Sequence, residues 1–249
     1  MIIDIITIFP NFFDQFLTTS KIKHAIEDKR VEINIHDLRL YTDLKGGKID
    51  DTPYGGGAGM LMIYPPFHKL INKLKTKDTY TVLLSPQGNV FNQQVATKWR
   101  DEIKHLILIC GHYEGIDDRI QNLIDEEISI GDYVLTGGEI PAMVITDSIT
   151  RLIPGVINEA SYMEDTHQQG LLKYPQYTKP DEYLGMSVPD ILKSGHHEKI
   201  RLWRLEKSLE KTYLKRPDLL VNRDLTKEES KILSKIKKIL NPNRVSCII

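Results

Sequence analysis

Between Leu83 and Glu139, three apolar runs each lead directly into a turn that contains glycine. The three segments read LLSPQG from Leu83, LILICGHYEG from Leu106 and SIGDYVLTGGE from Ser129. In an open α/β sheet, ligands bind in the crevice beyond the carboxyl ends of the strands, where glycine lets the backbone approach the ligand closely. One such turn is ordinary loop chemistry, but three in succession predict a nucleotide-like pocket built from three loops.

Strand-like and helical patterns alternate around these turns. The strand-like runs are apolar or alternate in polarity, and they cover residues 2–9, 31–37, 81–84 and 106–110. Helical patterns occur at residues 12–27, 93–101 and 139–152. Strands spaced by helices are typical of a mostly parallel sheet with helices on both faces, so the sequence predicts an α/β fold.

The charge balance of the chain changes at Pro189. Residues 1–189 carry 18 Lys and Arg against 26 Asp and Glu, whereas residues 190–249 carry 15 against 8. Helical periodicity at residues 199–215 and 227–240 predicts a small, basic, helical second domain. This asymmetry indicates a polyanionic partner, and a solvated lysine-rich surface is the alternative. We therefore predict a first domain at 1–160, a polar linker or active-site loop at 161–189 and the basic domain at 190–249.

Several other classes of protein are disfavoured. Cys110 and Cys247 are too few for a disulfide framework or a cysteine-based zinc site, and the histidines lack ligand spacing, so no metal site is predicted. The first residues, MIIDIITIFP, predict a strand rather than a signal peptide, because Asp4 interrupts the apolar stretch and no basic leader precedes it. No apolar run is long enough to span a bilayer. We expect a cytoplasmic protein that does not bind membranes.

Glycine-rich and charged residues elsewhere leave alternatives open. Residues 52–60 read TPYGGGAGM, which lacks the ending of a P-loop and is interpreted as a flexible loop or lid. Asp165, in the polar segment YMEDTHQQG, could be a general base or a solvated loop acid. Arg151, at the end of an apolar helix, could complement the helix dipole or stabilise negative charge on a substrate.

Motifs along most of the chain resemble one known family. They are LLSPQG, CGHYEGIDDR, SIGDYVLTGGE, RLIPGV, GLLKYPQYTKP, SGHHEKIRLWR and RPDLL, in that order from Leu83 to Leu220. The chain is similar in these blocks to the bacterial tRNA (guanine-N1)-methyltransferases, the TrmD family. The resemblance implies a SPOUT-class α/β domain with a deep trefoil knot. It also implies S-adenosylmethionine as methyl donor and tRNA, not DNA, as substrate.

The resemblance also assigns residues to the methyl donor by matched position. The residues that would contact S-adenosylmethionine are Pro86, Gly111, Tyr113, Glu114, Ile130, Gly131, Asp132, Tyr133, Val134, Leu135, Gly137 and Gly138. They fall in the three glycine-bearing loops already singled out. The family's dependence on Mg²⁺ is implied too, although no ligand cluster in the sequence reveals it.

For catalysis, the resemblance makes Asp165 the base that takes the N1 proton of the guanosine immediately 3′ of the anticodon. Arg151 would steady the charge on the guanine oxygen. The segment before Asp165 is one residue shorter than the family pattern, so Glu164 is the alternative base. The resemblance further implies a homodimer whose active sites are shared between subunits.

Helical spacing supplies a separate prediction for RNA binding. Arg201, Arg204, Lys207 and Lys211 recur at intervals that can place several of them on one face, towards RNA phosphates. Two rival functions remain: another SPOUT-type RNA methyltransferase with a different target, and a non-catalytic RNA-binding module. The module would explain the basic end of the chain but not the strand-end glycine loops.

Overall fold

The computed structural model describes residues 1–158, 162, 165–167, 170–221 and 223–240. The chain divides into two compact units, Met1–Glu159 and Ala160–Ile249. The described residues of the predicted linker at 161–189 fall in the second unit, and the division into three segments stays a prediction.

The first unit is built on a five-stranded sheet. Its strands, in sequence order, are β1 (Ile2–Thr7), β2 (Glu32–Asp37), β5 (Thr79–Val90), β6 (His105–Cys110) and β7 (Glu126–Ser129). The order across the sheet is β2-β1-β6-β5-β7, and every neighbouring pair is parallel. The predicted α/β class with a parallel sheet is confirmed.

Helices and short hairpins complete the two units. The helices of the first unit are α1 (Asp14–Leu17), α2 (Ser20–Glu27), α3 (Tyr64–Leu74), α4 (Gln93–Glu102) and α5 (Glu139–Thr150). β3 (Asp50–Asp51) pairs with β4 (Leu61–Met62), and β8 (Glu182–Tyr183) pairs with β9 (Met186–Ser187). Helices of the second unit span Asp190–Lys193, His197–Lys215 and Lys227–Leu240. Among the described residues, no helix is both long and apolar enough to cross a membrane.

The prediction of one helix over residues 12–27 is wrong, because the chain breaks between α1 and α2. Thr18 and Thr19 turn their hydroxyl groups back to carbonyl oxygens one turn earlier, at 2.8 and 2.5 Å. These hydrogen bonds compete with continuation of the helix. Ser20 then adopts a φ of 52°, in the left-handed region.

Both faces of the sheet are buried, which explains the continuous apolar runs of its strands. On one face, Ile6 and Ile107 belong to a cluster with Phe67, Leu70 and Ile71 of α3, and all five are fully buried. Burying each of these side chains contributes about 1.5–3 kcal/mol. The sheet is thereby held firmly enough to place its strand ends.

One acid lies inside the apolar first strand. Asp4 is 3% exposed, and its carboxylate lies 2.9 Å from Nε2 of His36 and 2.5 Å from Nε2 of His105, while Asn34 donates to it at 3.0 Å. Burial alone would raise the pKa of Asp4, but these hydrogen bonds outweigh it and hold the pKa below its ordinary value. The carboxylate therefore ties β1 to β2 and β6.

The depressed pKa predicts how stability depends on pH. The contribution of Asp4 is complete above its unfolded-state pKa of about 4 and is lost as the pH falls through the lower folded-state pKa. We expect the free energy of unfolding to differ most between the wild type and Asp4→Asn at neutral pH, and the difference to shrink below about pH 4. Urea denaturation followed by tryptophan fluorescence measures this difference in the free energy of unfolding. A Trp203→Phe background leaves Trp99 as the remaining tryptophan. A difference that stays constant into acid would contradict the assignment.

Candidate functional site

The three predicted loops meet at one cavity in the first unit. The cavity has a volume of about 370 Å³, and residues 85–87, 111–116 and 130–131 are among those that line it, together with 133–138. The loops follow β6 and β7 and interrupt β5, so the cavity lies at the carboxyl ends of neighbouring strands, from the central β6 to the edge strand β7. This is the position at which open α/β sheets bind ligands.

The first loop is a break in the pairing of β5 with β7. Leu84 and Asn89 both pair with Ile128, so residues 85–88 leave the ladder and place Pro86 against the cavity. At Gly88 the two backbones nearly touch, because a Cβ there would lie 2.4 Å from the carbonyl carbon of Glu127. The loop therefore requires glycine at its end.

The third loop begins with a tight turn after β7. Ser129 Oγ accepts a hydrogen bond from the amide of Gly131 at 3.1 Å and donates to its carbonyl oxygen at 2.9 Å. Gly131 has a φ of 151°, and a Cβ there would lie 2.5 Å from the ring of Tyr133. The turn thus folds the tyrosine back beside the cavity.

A buried carboxylate joins the second and third loops. Glu139, the first residue of α5, is 4% exposed; it accepts a hydrogen bond from the hydroxyl of Thr7 at 2.6 Å and lies 2.7 Å from Nε2 of His112. The amide of Gly138 donates to the carbonyl oxygen of Gly111 at 3.0 Å. Strand β1, the loop after β6 and helix α5 are therefore connected at the wall of the cavity.

The buried charge of Glu139 also acts on the neighbouring thiol. Burial first, and the charge of Glu139 second, raise the pKa of Cys110 well above its ordinary value. The thiol is fully buried at the end of β6 and stays protonated at neutral pH. Cys110 is therefore a packing residue rather than a nucleophile.

The cavity is lined by exposed aromatic and apolar side chains and by the backbone of glycine residues. Tyr113 and Tyr133 are about half exposed, and Val134 is 83% exposed. Tyr113 has a φ of 59°, a conformation that costs energy for a residue other than glycine and clusters at functional sites. Such a surface suits a ligand with a flat ring and hydrogen-bonding edges.

Eleven of the twelve residues assigned to the methyl donor line this cavity. They are Pro86, Gly111, Tyr113, Glu114, Ile130, Gly131, Tyr133, Val134, Leu135, Gly137 and Gly138. Asp132 lies in the third loop but not among the lining residues. Sequence reasoning missed His112, Glu139 and Gly88. All three stand in the quoted motifs, but only the fold brings His112 against Glu139 and Gly88 against the backbone of Glu127.

Comparisons with known proteins agree over nearly the whole chain. A family model described as tRNA (Guanine-1)-methyltransferase TrmD matches residues 1–222. A protein of Aster yellows witches'-broom phytoplasma, named tRNA (guanine-N(1)-)-methyltransferase, is 60% identical over 96% of this chain and 99% of its own length. The chain belongs to the TrmD family. Proteins of the same name from Dictyoglomus turgidum and Streptococcus pyogenes serotype M4 are 52% and 51% identical, each over 96% of this chain and 97% and 100% of their own lengths.

The two residues that the family resemblance makes catalytic lie in different units. Arg151 is the C-cap residue of α5, whereas the cavity adjoins the other end of this helix at Gly138. Twelve residues of α-helix are about 18 Å long, more than an arginine side chain spans. Within the chain, therefore, Arg151 and the part of the cavity beside Gly138 are far apart.

Asp165 belongs to the second unit and lines a second cavity, of about 510 Å³. Its Oδ1 lies 3.3 Å from Nζ of Lys173, and Tyr174 and Arg204 line the same cavity. Glu164, the alternative base, lies outside the described residues. Within the described part of the chain, no group of three or more His, Cys, Asp or Glu side chains is arranged to hold a metal ion.

The four cations predicted to bind RNA all have partners in the second unit. Arg201 donates to both Glu198 and Glu228, and these hydrogen bonds raise its pKa above the ordinary value. Lys207 donates to Glu210 at 2.6 Å, Lys211 to the carbonyl oxygen of Lys173 at 3.1 Å, and Arg204 lies 4.8 Å from the ring centre of Tyr174. Their assignment to RNA stays a prediction.

The close approach at Gly138 can be tested against a matched glycine. A Cβ at Gly138 would lie 2.6 Å from Cα of Cys110, whereas a Cβ at Gly111 would lie 3.7 Å from the side chain of Ile116. We expect Gly138→Ala to lower the free energy of unfolding by about 1–3 kcal/mol. Gly111→Ala should change it by less than about 0.5 kcal/mol. Urea denaturation followed through Trp99 measures both, and equal losses would contradict the difference in packing.

Proposed function

We propose that this protein transfers a methyl group from S-adenosylmethionine to N1 of the tRNA guanosine immediately 3′ of the anticodon. The observation that carries the proposal is the convergence of three glycine-bearing loops on one cavity in a chain of the TrmD family. A cytoplasmic location, where the substrate tRNA is found, and a knot formed by the loops around the cavity belong to the same proposal.

The first cavity fits the methyl donor. Its volume lies in the range of small-molecule sites, and it combines exposed apolar side chains with backbone groups at strand ends. The backbone around Gly111 and Gly138 would hydrogen-bond the edges of the adenine, while Tyr133 and Leu135 would cover its faces. When bound, S-adenosylmethionine would supply an electrophilic methyl group, whose bond to sulfur breaks as the bond to guanine N1 forms and leaves a neutral thioether.

The protein's own task is to move a proton. Guanine N1 carries a hydrogen, so its lone pair becomes available for the new N–C bond only as that hydrogen leaves. The carboxylate of Asp165 accepts the proton, which ends on its oxygen. Arg151 stabilises the negative charge that gathers on the guanine oxygen during the transfer. Arg204, which lines the cavity with Asp165, guides tRNA phosphates towards this carboxylate.

Removing the base tests this mechanism. Asp165→Asn keeps the size of the side chain but cannot accept the proton, so we expect turnover to fall about a hundredfold or more. Binding of S-adenosylmethionine, measured by calorimetry, should stay unchanged. Glu164→Gln is the matched control. If Glu164→Gln abolishes turnover and Asp165→Asn does not, Glu164 is the base.

A homodimer with shared active sites is the second part of the proposal. Within one chain, Arg151 is a helix length away from the part of the cavity beside Gly138. A second chain can bring its own Arg151 to this cavity. Helix α5 supports this, because Ile140 and Val144 are 45% and 40% exposed although Ile145 and Ile149 already bury its other face. An apolar helix face left in solvent indicates a contact surface, and two copies would form it symmetrically.

Mixed dimers test the shared site. Gly111→Val should fill the cavity without disturbing the backbone, because its Cβ has room beside Ile116. Neither Gly111→Val nor Asp165→Asn should be active alone. In the proposed dimer, Asp165 of one subunit faces the cavity of the other. Co-refolded mixed dimers then contain one site with an intact Asp165 and an intact cavity, so they should approach half of wild-type activity. Purified mixed dimers that bind the methyl donor but remain inactive would show that each subunit completes its own site.

The alternatives make different predictions for the same assays. A non-catalytic RNA-binding module would give no calorimetric signal with S-adenosylmethionine, and a related methyltransferase would place the methyl group on another base of the transcript. Magnesium dependence is also proposed. Since Mg²⁺ is commonly held by one or two carboxylates and substrate phosphates, tRNA would complete its coordination.

A further inference from the structure

The last helix, Lys227–Leu240, carries two acids in its first turn and five lysines along its length. Its two acids face other parts of the second unit: Glu228 accepts hydrogen bonds from Arg201 at 2.8 and 2.9 Å, and Glu229 accepts one from Arg223 at 2.8 Å. Both carboxylates are therefore paired with arginines outside this helix, and Arg201 is shared with Glu198. Neither forms an ion pair with a lysine of the helix within the described part of the chain.

Four lysines share one face of this helix, opposite Glu229, with Glu228 at the edge of that face. We call this set the lysine stripe, and its members are Lys227, Lys231, Lys235 and Lys238. At 100° per residue they fall within an arc of about 80° and extend over about 16 Å. All four are exposed, and none forms an ion pair within the described part of the chain.

The helix itself does not account for the lysine stripe. Lys238, in the last turn, complements the negative end of the helix dipole, but Lys227 lies at the positive end, where a cation is unfavourable. Lysines four residues apart also repel one another. The stripe therefore costs stability in the isolated protein, and a polyanion bound along it would relieve that cost.

A membrane surface fits this helix poorly. Helices that bind membranes insert their apolar face, but Leu233 and Ile236 are only 4% exposed because they pack inside the second unit. Nucleic acid requires no such insertion, since lysines contact phosphates from outside. The helix also begins after residue 222, where the match to the family model ends.

We propose that the lysine stripe binds the phosphate backbone of tRNA without reading its sequence. This inference rests on the proposed function, which supplies the RNA. The lysine stripe would be a second RNA-binding surface, apart from Arg204, which lines the cavity with Asp165. The stripe strengthens the capture of tRNA and takes no part in methyl transfer.

Replacing the stripe tests this assignment. The variant combines Lys227→Gln, Lys231→Gln, Lys235→Gln and Lys238→Gln, and its binding to an unmodified tRNA transcript is measured by fluorescence anisotropy over a salt series. Each lost phosphate contact lowers the log-log salt slope by about 0.7–0.9, so we expect a total decrease of about 3. KM for tRNA should rise, while kcat at saturating tRNA and binding of S-adenosylmethionine should not change.

A matched control carries the same change in net charge elsewhere. It replaces Lys21, Lys45, Lys75 and Lys77, four exposed lysines of the first unit, with glutamine. An equal decrease of the slope in the control, or no decrease in the stripe variant, would overturn the proposal. So would loss of binding to anionic phospholipid vesicles with an unchanged tRNA slope. A wild-type protein that neither binds nor methylates tRNA would refute the proposed function as well.

Discussion

The carboxylate of Glu139 is the point on which the geometry of the first cavity depends. It is buried at the beginning of α5 and contacts Thr7 on β1 and His112 in the loop after β6. Burying a carboxylate costs free energy unless its oxygens are hydrogen-bonded, so a carboxylate at this position requires such contacts. Because the loops are fixed to one another, the methyl donor would meet backbone groups that are already in position, with little ordering to be done on binding.

Glycine makes this arrangement possible at two places. At Gly138 and Gly88 the backbones pass so closely that no Cβ fits between them. The close approach at Gly138 packs the end of the third loop against β6. The close approach at Gly88 brings β5 back against β7 after residues 85–88, including Pro86, have left the ladder. A site built in this way is held in shape by the backbone of the first unit itself.

The second unit shows why a list of charged residues does not locate a binding surface. The periodicity of the long helix His197–Lys215 indicated a basic face, but Arg201 is held by two glutamates and Lys207 by a third. The acids that hold Arg201 come from two helices, and pairing between helices leaves no trace in local spacing. Glu228 pairs with Arg201 of the other helix rather than with the lysines beside it in the sequence, and the lysine stripe is left without an acidic partner within the described residues.

The sequence by itself determined the alternation of strands and helices, the three glycine turns and the family, because hydrophobic periodicity and local motifs are properties of neighbouring residues. It missed the break at Thr18 and Thr19, where side-chain hydrogen bonds outweigh helical periodicity. Only the tertiary structure decided that Glu139 meets His112 and Thr7. Those relations depend on the order of strands in the sheet and on packing between distant segments, which no local pattern encodes.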